Sequence, residues 1–385
     1  MKRAQTSFSK LTKVFSALIA FVFSINTILP PTLVQAQAIS QTFLNLPVPG
    51  TMVQLTPAFE PLTAKGIKVF EDNPLLFEFI IDQGDTDLQG AQLEKEMSQQ
   101  IKYFLAALTT PEKDIWVNLS PYEQDRIIPD EFGQTEMGRD LLAQDYMLKQ
   151  LTSSLMSPEE KLGKTFWNRV YKKAQEQFGT TDIPVNTFNK VWIVPEQAEV
   201  YSKDLHAYVT QNRLKVMMEE DYLAMAINEG RETVDDGRDL AKESIEKVQS
   251  QLSKVQGLSL DKEIMKDVIL PEIEREVNEG EMFAKLRQIF SAVILAKWYK
   301  LHLQESLLGQ IYVDQNKIAG VDIADQDAKM KIFNQYVEAF KKGVYDYIKE
   351  DYDPVTEEIH QRKYFSGGTE VTLTPGVNYQ EYNLP

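Results

Sequence analysis

Five residues between positions 85 and 96 have the spacing of a calcium-binding loop. Counting Asp85 as position 1, the template positions 3, 5, 6 and 12 are taken by Asp87, Gln89, Gly90 and Glu96. In such a loop oxygen ligands surround the ion, glycine permits a sharp turn, and the final glutamate binds through both oxygens. The spacing therefore predicts a calcium site formed by Asp85, Asp87, Gln89 and Glu96, and calcium is the only cofactor that the sequence suggests.

Three departures from the template keep a second interpretation of this segment open. Gln89 is neutral where aspartate or asparagine is usual, and Gln92 is polar where an apolar residue is usual. The segment that enters the loop also has the pattern of a strand, whereas a calcium loop of this kind follows a helix. The alternative is an acidic turn that caps the next helix.

Other residue types that carry catalysis are sparse. The chain has no cysteine, which excludes cysteine-ligated zinc, iron–sulfur clusters, thiol catalysis and a lipid anchor on cysteine. Its three histidines, His206, His302 and His360, are far apart in sequence, and each is expected to be structural or exposed. No HExxH, GxSxG, phosphate-binding or dinucleotide-binding motif occurs. Ser366 lacks the strand–turn–helix context of a nucleophile, and the two glycines after it predict a turn.

Carboxylates are abundant, but their positions along the chain do not pair them. Two carboxylates are enough for glycoside hydrolysis, and they usually come from separate elements. A close group at Glu272, Glu274, Glu276 and Glu279 is predicted to spread over the solvated surface of a helix. The sequence therefore assigns no catalytic residue.

The net charge limits the classes of partner. The chain contains 41 Lys+Arg and 57 Asp+Glu, so its formal charge is −16. Nucleic acid and anionic membrane surfaces both require clustered lysine and arginine. We therefore expect no nucleic-acid partner, and an unidentified protein or an envelope polymer in its place.

The first half of the chain mixes predicted strands and helices. Apolar patterns predict strands at 66–70, 75–81, 190–194, 198–203 and 206–218, and edge strands within 43–59. Pro195 is expected to separate the strands on either side of it. Residues 93–108 and 135–155 have helical patterns, whereas 116–129 has no clear period and is expected to form loops or turns. Strands and helices that do not alternate regularly favour a helix-rich α+β fold.

A further helix is predicted in the first half, and the chain beyond residue 257 is predicted to be mainly helical. Ser157, Pro158 and Glu160 form a capping-box pattern that would begin a helix ended by Gly179. A core helix is predicted at 281–307 and a last helix from Asp325, with an extended pair at 311–321 between them. Two tryptophans, Trp167 and Trp298, fall within apolar helices and are expected in the core, while Trp116 and Trp192 are undecided.

These patterns divide the chain into five segments. Residues 1–36 are a signal peptide, 39–229 an α+β domain, 230–257 a charged helical linker, 258–365 a mainly helical region and 366–385 an irregular tail. The tail contains at most one strand, at 371–373. The linker has apolar residues at alternating spacings of four and three, so a short coiled coil that binds a partner is the alternative.

The N-terminus has the pattern of a secretory signal. Four cations, at positions 2, 3, 10 and 13, precede the apolar run 14–29, and small residues follow. Cleavage is expected after Ala36 or Ala38, with a retained anchor as the alternative. Since the run is shorter than the roughly 20 residues of a membrane span and no other stretch approaches that length, we expect no stable span after cleavage. The predicted location is periplasmic or extracellular.

Three pairs of segments resemble an uncharacterised group of exported bacterial proteins. The matching sequences are LSPYEQDRIIP with GQTEMGRDLLAQDYMLKQL, PEIEREVNEG with FAKLRQIFSAVILAKWYK, and EAFKKGVYDYIKEDYDP with RKYFSGG. The resemblance covers roughly 109–220 and 262–368. It implies a bacterial envelope or secreted setting and carries over no functional residue.

The sequence favours a non-enzymatic binding protein or a structural envelope component. The alternative is a carboxylate-dependent hydrolase that acts on an envelope polymer or a peptide. The two hypotheses predict different structures. A hydrolase requires a cleft with two inward carboxylates of raised pKa, whereas a binding protein requires an exposed apolar or aromatic patch.

Overall fold

A computed structural model describes twelve parts of the chain. They are 46–48, 50–119, 126–157, 159–179, 181, 191–228, 265–304, 327–341, 351–353, 358–360, 367–373 and 377–383. The predicted signal peptide, the linker 230–257, the extended pair 311–321, Pro158 and Ser366 lie outside the described residues.

Seven of the nine described strands form one mixed sheet. The strands are β1 (Thr63–Phe70), β2 (Asn73–Asp82), β3 (Trp116–Asn118), β4 (Val191–Lys203), β5 (His206–Met218), β6 (Asp351–Asp353), β7 (Glu358–His360), β8 (Gly368–Glu370) and β9 (Asn378–Asn383). The large sheet has the order β2-β1-β5-β4-β8-β3, with β9 also beside β4. Neighbours are antiparallel except β8 and β9, which run parallel to β4. β6 and β7 form a separate pair.

Eight described helices accompany the sheet and confirm the α+β class. They are α1 (Gly90–Thr109), α2 (Asp130–Gly133), α3 (Glu136–Met156), α4 (Lys161–Phe178), α5 (Glu219–Asn228), α6 (Leu270–Glu279), α7 (Ala284–Gln304) and α8 (Ala328–Lys341). A π-helical turn, Met265–Ile269, precedes α6. Within the described residues, no helix is both long and apolar enough to cross a membrane.

The inner face of the sheet is covered by α1 and α7. Phe77 and Phe79 of β2 contact Phe104 of α1, each pair of ring centroids being 5.2 Å apart. Phe77 also lies edge-on to Tyr299 of α7, at 5.2 Å. Because α7 packs on β1, β5, α1 and α3, the regions predicted as 39–229 and 258–365 share one core.

The central hairpin β4–β5 differs from its prediction at Pro195. β4 is continuous through this proline, which pairs with Leu214 beside a bulge that contains Glu196. On the opposite edge β8 pairs at Ile193 and β9 begins at Gln197, so Pro195 lies between the two neighbours. Its missing N–H is tolerated because proline is accepted at bulges.

The C-terminal tail is not irregular. β8 lies between β4 and β3, and β9 adds to the rest of the same β4 edge. Thr369 is fully buried, although β8 has the polar sequence GTE. Such a short polar strand has no apolar alternation, so only its pairing with distant strands makes it a strand.

Two other segments also differ from their predictions. The described residues before β1 contain no strand, but Ala58 makes an isolated bridge to Gly280 and the segment lies against α6 and α7. The segment expected to be loop, 116–129, begins with β3. Both differences arise because backbone hydrogen bonds are made with residues far away in sequence.

The predicted capping box does not begin α4. Glu160 is the N-cap residue, α4 begins at Lys161, and no side chain caps it. Gly179 ends the helix with a positive φ of 69°, as predicted. Trp167 and Trp298 are both buried, which confirms their prediction as core residues.

Candidate functional site

Three tyrosines form a row on the outer face of the sheet. Tyr208 of β5 pairs with Tyr201 of β4, and Tyr201 pairs with Tyr382 of β9. Paired residues on neighbouring strands point to the same face. The three side chains are 36%, 37% and 40% exposed, respectively. We call Tyr208, Tyr201 and Tyr382 the tyrosine row.

Two rings of the row lie next to each other. The rings of Tyr201 and Tyr382 are 5.4 Å apart and tilted by 37°. The hydroxyl of Tyr382 donates a hydrogen bond to Oε1 of Gln380 on the same strand. Because adjacent strands are about 4.8 Å apart, the row spans roughly 10 Å across the sheet.

An isoleucine extends the row across a glycine. Gly66 of β1 pairs with Tyr208 on one side and with Ile80 of β2 on the other. A Cβ on Gly66 would lie 2.9 Å from the Ile80 Cδ1 atom, so the isoleucine covers the glycine. Ile80 is 47% exposed and continues the apolar surface to the edge strand.

Polar side chains lie beside the row on the same face. The amide of Gln197 donates to Glu199 at 2.8 Å and to Gln211 at 3.4 Å. Gln380 donates to Asn378 at 2.9 Å. Since Gln197 pairs with Asn378 and Glu199 with Gln380, these five residues form a patch of amide and carboxylate groups. We call Gln197, Glu199, Gln211, Asn378 and Gln380 the amide patch.

The far end of this face is covered by α5. Trp192 of β4 stacks on Tyr222 of α5 with centroids 4.0 Å apart and planes 8° apart. Trp192, Val194 and Met217 form a small core there, against which Tyr222 and Met225 pack. The aromatic residues at this end are therefore structural, in contrast to the exposed tyrosine row.

A cleft opens beside the amide patch. β1 pairs with β5 only through Gly66, Ile67 and Lys68, and the preceding part of β1 diverges from β5. The space of about 700 Å³ between them is bounded by α6. The cleft is lined by Glu60, Pro61, Thr63, Lys65, Gln197, 209–213, Pro271, Glu274, Arg275, Asn278, Glu279 and Arg287.

Ion pairs neutralise most cations of the cleft. Arg213 contacts Glu196 at 3.0 Å and Glu274 at 2.7 Å. Lys65 contacts Asp82 at 2.6 Å, and Arg275 contacts Glu272 at 3.4 Å.

The fourth cation of the cleft, Arg287, is buried. Its Nη atoms donate to the carbonyls of Val277, Gly280 and Phe59. In the described part of the chain, the exposed carboxylates of Glu60 and Glu279 have no ion-pair partner. The cleft therefore has two exposed carboxylates outside the ion pairs, and their charges also act on the buried Arg287.

The predicted calcium residues do not converge. Oδ2 of Asp85 accepts the N–H of Glu60 at 2.8 Å, and Gln89 is the N-cap residue of α1 without a side-chain cap. Glu96 instead accepts from Lys285 at 2.6 Å. Within the described residues, no group of three His, Cys, Asp or Glu is placed to hold a metal ion. Calcium binding by Asp85, Asp87, Gln89 and Glu96 therefore stays a prediction.

The histidines lie apart from one another where their side chains are described. His206 is exposed on β5. The Nδ1 atom of His302 lies 3.0 Å from the Trp298 carbonyl, and its Nε2 lies 3.4 Å from a Glu381 oxygen. His360 is in β7.

One glutamate predicted on the surface of α6 is buried. Glu276 is 0% exposed, and its Oε2 accepts the N–H of Thr56 at 2.8 Å. The Thr56 hydroxyl donates to the other oxygen. The prediction was wrong at this position because the segment before β1 covers that side of the helix.

The carboxylates whose pKa is raised, one half-buried and one fully buried, lie away from the cleft. Burial raises the pKa of Asp140, which accepts a hydrogen bond from Gln99 at 2.7 Å. Burial also raises the pKa of Asp145, which pairs with the buried Lys149 at 2.9 Å. Neither residue lines the cleft, so both carboxylates serve the fold.

The tyrosine row is the candidate surface that sequence reasoning missed. Tyr201 and Tyr208 fall at outward positions of two predicted strands, and the short turn between them would align these positions. That alternation was an available signal, whereas Tyr382 came from a tail expected to be irregular.

No family model, curated protein or solved structure is significantly similar to the chain.

Proposed function

We propose that this protein is an exported, non-enzymatic binding protein whose tyrosine row binds an envelope glycan. The observation that supports it is the alignment of three exposed tyrosines on adjacent strands of one open sheet face. Exposed aromatic groups next to polar groups are typical of binding surfaces.

The chemistry of the face matches that of a sugar chain. A sugar ring has an apolar C–H face that packs on aromatic rings, and hydroxyl groups at its rim that donate and accept hydrogen bonds. The tyrosine row supplies the rings, and the amide patch supplies donors and acceptors beside them. A flat surface of roughly 10 Å accommodates a chain of sugars more readily than a single small molecule.

A hydrolase is the less supported function. It requires two carboxylates that point into a cleft. Of the three that line this cleft, Glu274 is held by Arg213 and by the N–H of Val216 at 3.2 Å, while Glu60 and Glu279 are exposed. The carboxylates with raised pKa, Asp140 and Asp145, lie outside the cleft. The described residues therefore favour binding.

Replacing two rings of the row is expected to weaken glycan binding. In the variant Tyr201→Thr/Tyr382→Thr, β-branched residues keep the strand preference but remove both stacking surfaces. Each lost ring should weaken binding by about five- to tenfold, on the order of 1 kcal/mol. The measurement is retardation in affinity gels containing hydroxyethyl cellulose, together with co-sedimentation with chitin and with purified peptidoglycan.

The matched control is Tyr171→Thr. Tyr171 is 40% exposed but lies on α4, outside the sheet. This variant should bind each polymer like the unaltered protein. Equal retention of the Tyr201→Thr/Tyr382→Thr variant, or no retention of the unaltered protein by any of the three polymers, would contradict glycan binding.

Export is expected to remove the N-terminal segment. Expression of the whole chain in a bacterium should give a periplasmic or secreted protein whose first residue is Gln37 or Ile39, because cleavage is expected after Ala36 or Ala38. Mass spectrometry of the purified protein measures the new terminus. A chain that keeps residues 1–36 in the membrane fraction would instead support a retained anchor.

A further inference from the structure

One edge of β5 lacks a strand partner along the cleft. β1 pairs with this edge only from His206 to Tyr208, and no described strand pairs with 209–213 on that side. Farther along, side chains of α6 take the place of a neighbouring strand. Nδ2 of Asn278 donates to the Leu214 carbonyl at 2.8 Å, while its Oδ1 accepts the Leu214 N–H at 3.0 Å.

The alternation of the strand identifies the backbone groups that face the cleft. The N–H groups of Leu214 and Val216 both point toward α6, where Asn278 and Glu274 accept them. Since N–H groups of alternate residues point to the same edge, the N–H of Asn212 points into the cleft. The open edge therefore offers the backbone N–H and carbonyl of Asn212 to an added strand.

The size of the cleft fits a short extended peptide. An extended residue rises about 3.3 Å, neighbouring strands are about 4.8 Å apart, and a strand with its side chains is about 10 Å deep. One residue thus occupies roughly 160 Å³. The cleft of about 700 Å³ can hold about four residues.

The charge of the cleft favours a basic peptide. Lys65, Arg213 and Arg275 are each paired with a carboxylate. Glu60 and Glu279 line the cleft, and neither has an ion-pair partner among the described residues. A lysine, arginine or terminal amine of a bound peptide would complement these two carboxylates.

We propose that the cleft binds a short basic peptide that adds as a strand to the open edge of β5. Main-chain hydrogen bonds to the β5 edge hold the peptide, and Glu60 and Glu279 select for positive charge. The cleft shares Gln197 and Gln211 with the amide patch but contains none of the three tyrosines, so replacing the tyrosine row leaves the residues of the peptide site unaltered.

A library of random tetrapeptides on beads tests the proposal with the purified protein. The expected result is enrichment of sequences with lysine or arginine. The enriched peptides are then resynthesised with a fluorescein label to measure their affinity for the protein. Methylation of the peptide backbone nitrogens should lower this affinity at least tenfold, because it removes hydrogen-bond donors and blocks strand pairing. A library without enrichment, or methylated peptides that bind equally, would overturn the proposal.

Two variants of the protein separate the contribution of the cleft carboxylates from that of the backbone hydrogen bonds. Glu60→Gln/Glu279→Gln should abolish the preference for basic peptides, and Asn212→Pro should weaken all hits because it removes a backbone donor. If Asn212→Pro does not fold, the methylated peptides test the same hydrogen bonds without altering the protein. The variant Tyr201→Thr/Tyr382→Thr should bind the peptides normally. A loss of glycan binding can therefore be told apart from a loss of peptide binding. Unchanged selection by the double glutamine variant would refute the charge preference.

Discussion

Replacing Lys149 by methionine is expected to lower the free energy of unfolding by about 3–5 kcal/mol. Lys149 is fully buried in α3, and its ammonium group donates to Oδ1 of Asp145 at 2.9 Å and to the Gly367 carbonyl at 3.1 Å. Without the lysine, the buried Asp145 carboxylate keeps no opposite charge. The cost is large because an unpaired buried charge has lost its hydration.

The pair also ties three separate segments together. Oδ1 of Asp145 accepts the Thr369 hydroxyl at 3.1 Å, and Oδ2 accepts the Leu119 N–H at 3.2 Å. β8 and the end of β3 are thereby attached to α3. Burial raises the pKa of Asp145 and lowers the pKa of Lys149, so both groups depend on each other to stay charged.

Urea unfolding of three variants measures this effect. Lys102→Met is the control, because Lys102 is 43% exposed in its ion pair with Glu136 and its loss should cost less than about 1 kcal/mol. The double variant Lys149→Met/Asp145→Leu should be more stable than Lys149→Met, since it leaves no unpaired charge. If Lys149→Met unfolds at the same urea concentration as the unaltered protein, the buried pair is not stabilising the fold.

Alanine at Gly368 is expected to destabilise the protein by about 2–4 kcal/mol. A Cβ at this position would lie 2.0 Å from the Val117 carbonyl oxygen and 3.0 Å from the ring of Trp192. β8 is inserted between β3 and β4, so neither backbone can move away without breaking strand pairs. Gly367→Ala combines a similar clash, 2.3 Å from the Val191 carbonyl oxygen, with a φ of +94°.

The control Gly179→Ala separates the cost of a steric clash from the backbone cost of a positive φ. Gly179 has a φ of +69°, but a Cβ there would meet nothing within 4 Å. This control should show only the backbone cost of about 1–2 kcal/mol. Thermal or urea unfolding should place Gly367→Ala clearly below Gly179→Ala in stability. Equal stability of the two variants would mean that β8 is not held tightly between its neighbours.

Much of the fold was predictable because the relevant patterns are local. The alternation in β1, the apolar run in β2, the apolar surface of α7 and the glycine that ends α4 each depend on residues within a few positions. The strand β9 was not predictable because it pairs with distant residues: Ser202 bonds Glu381, 179 residues farther along the chain. The burial of Glu276 was not predictable either, because Thr56, which bonds it, is 220 residues away.

The candidate site likewise combines residues predictable from local patterns with residues placed by distant contacts. Tyr201 and Tyr208 were accessible from the alternation of two neighbouring strands, but Tyr382 joined them only when β9 paired with β4. The cleft could not be predicted at all. It exists because β1 leaves β5 after three paired residues while α6 approaches the same edge.

By itself, the sequence determined the α+β class, the absence of cysteine chemistry and the acidic charge, because composition and short-range pattern are sufficient for these properties. The tertiary structure decided which polar groups are buried, where the tail lies and which tyrosines share a surface. These outcomes depend on strand pairing between distant residues, and the free energy of that pairing is not encoded in any local window.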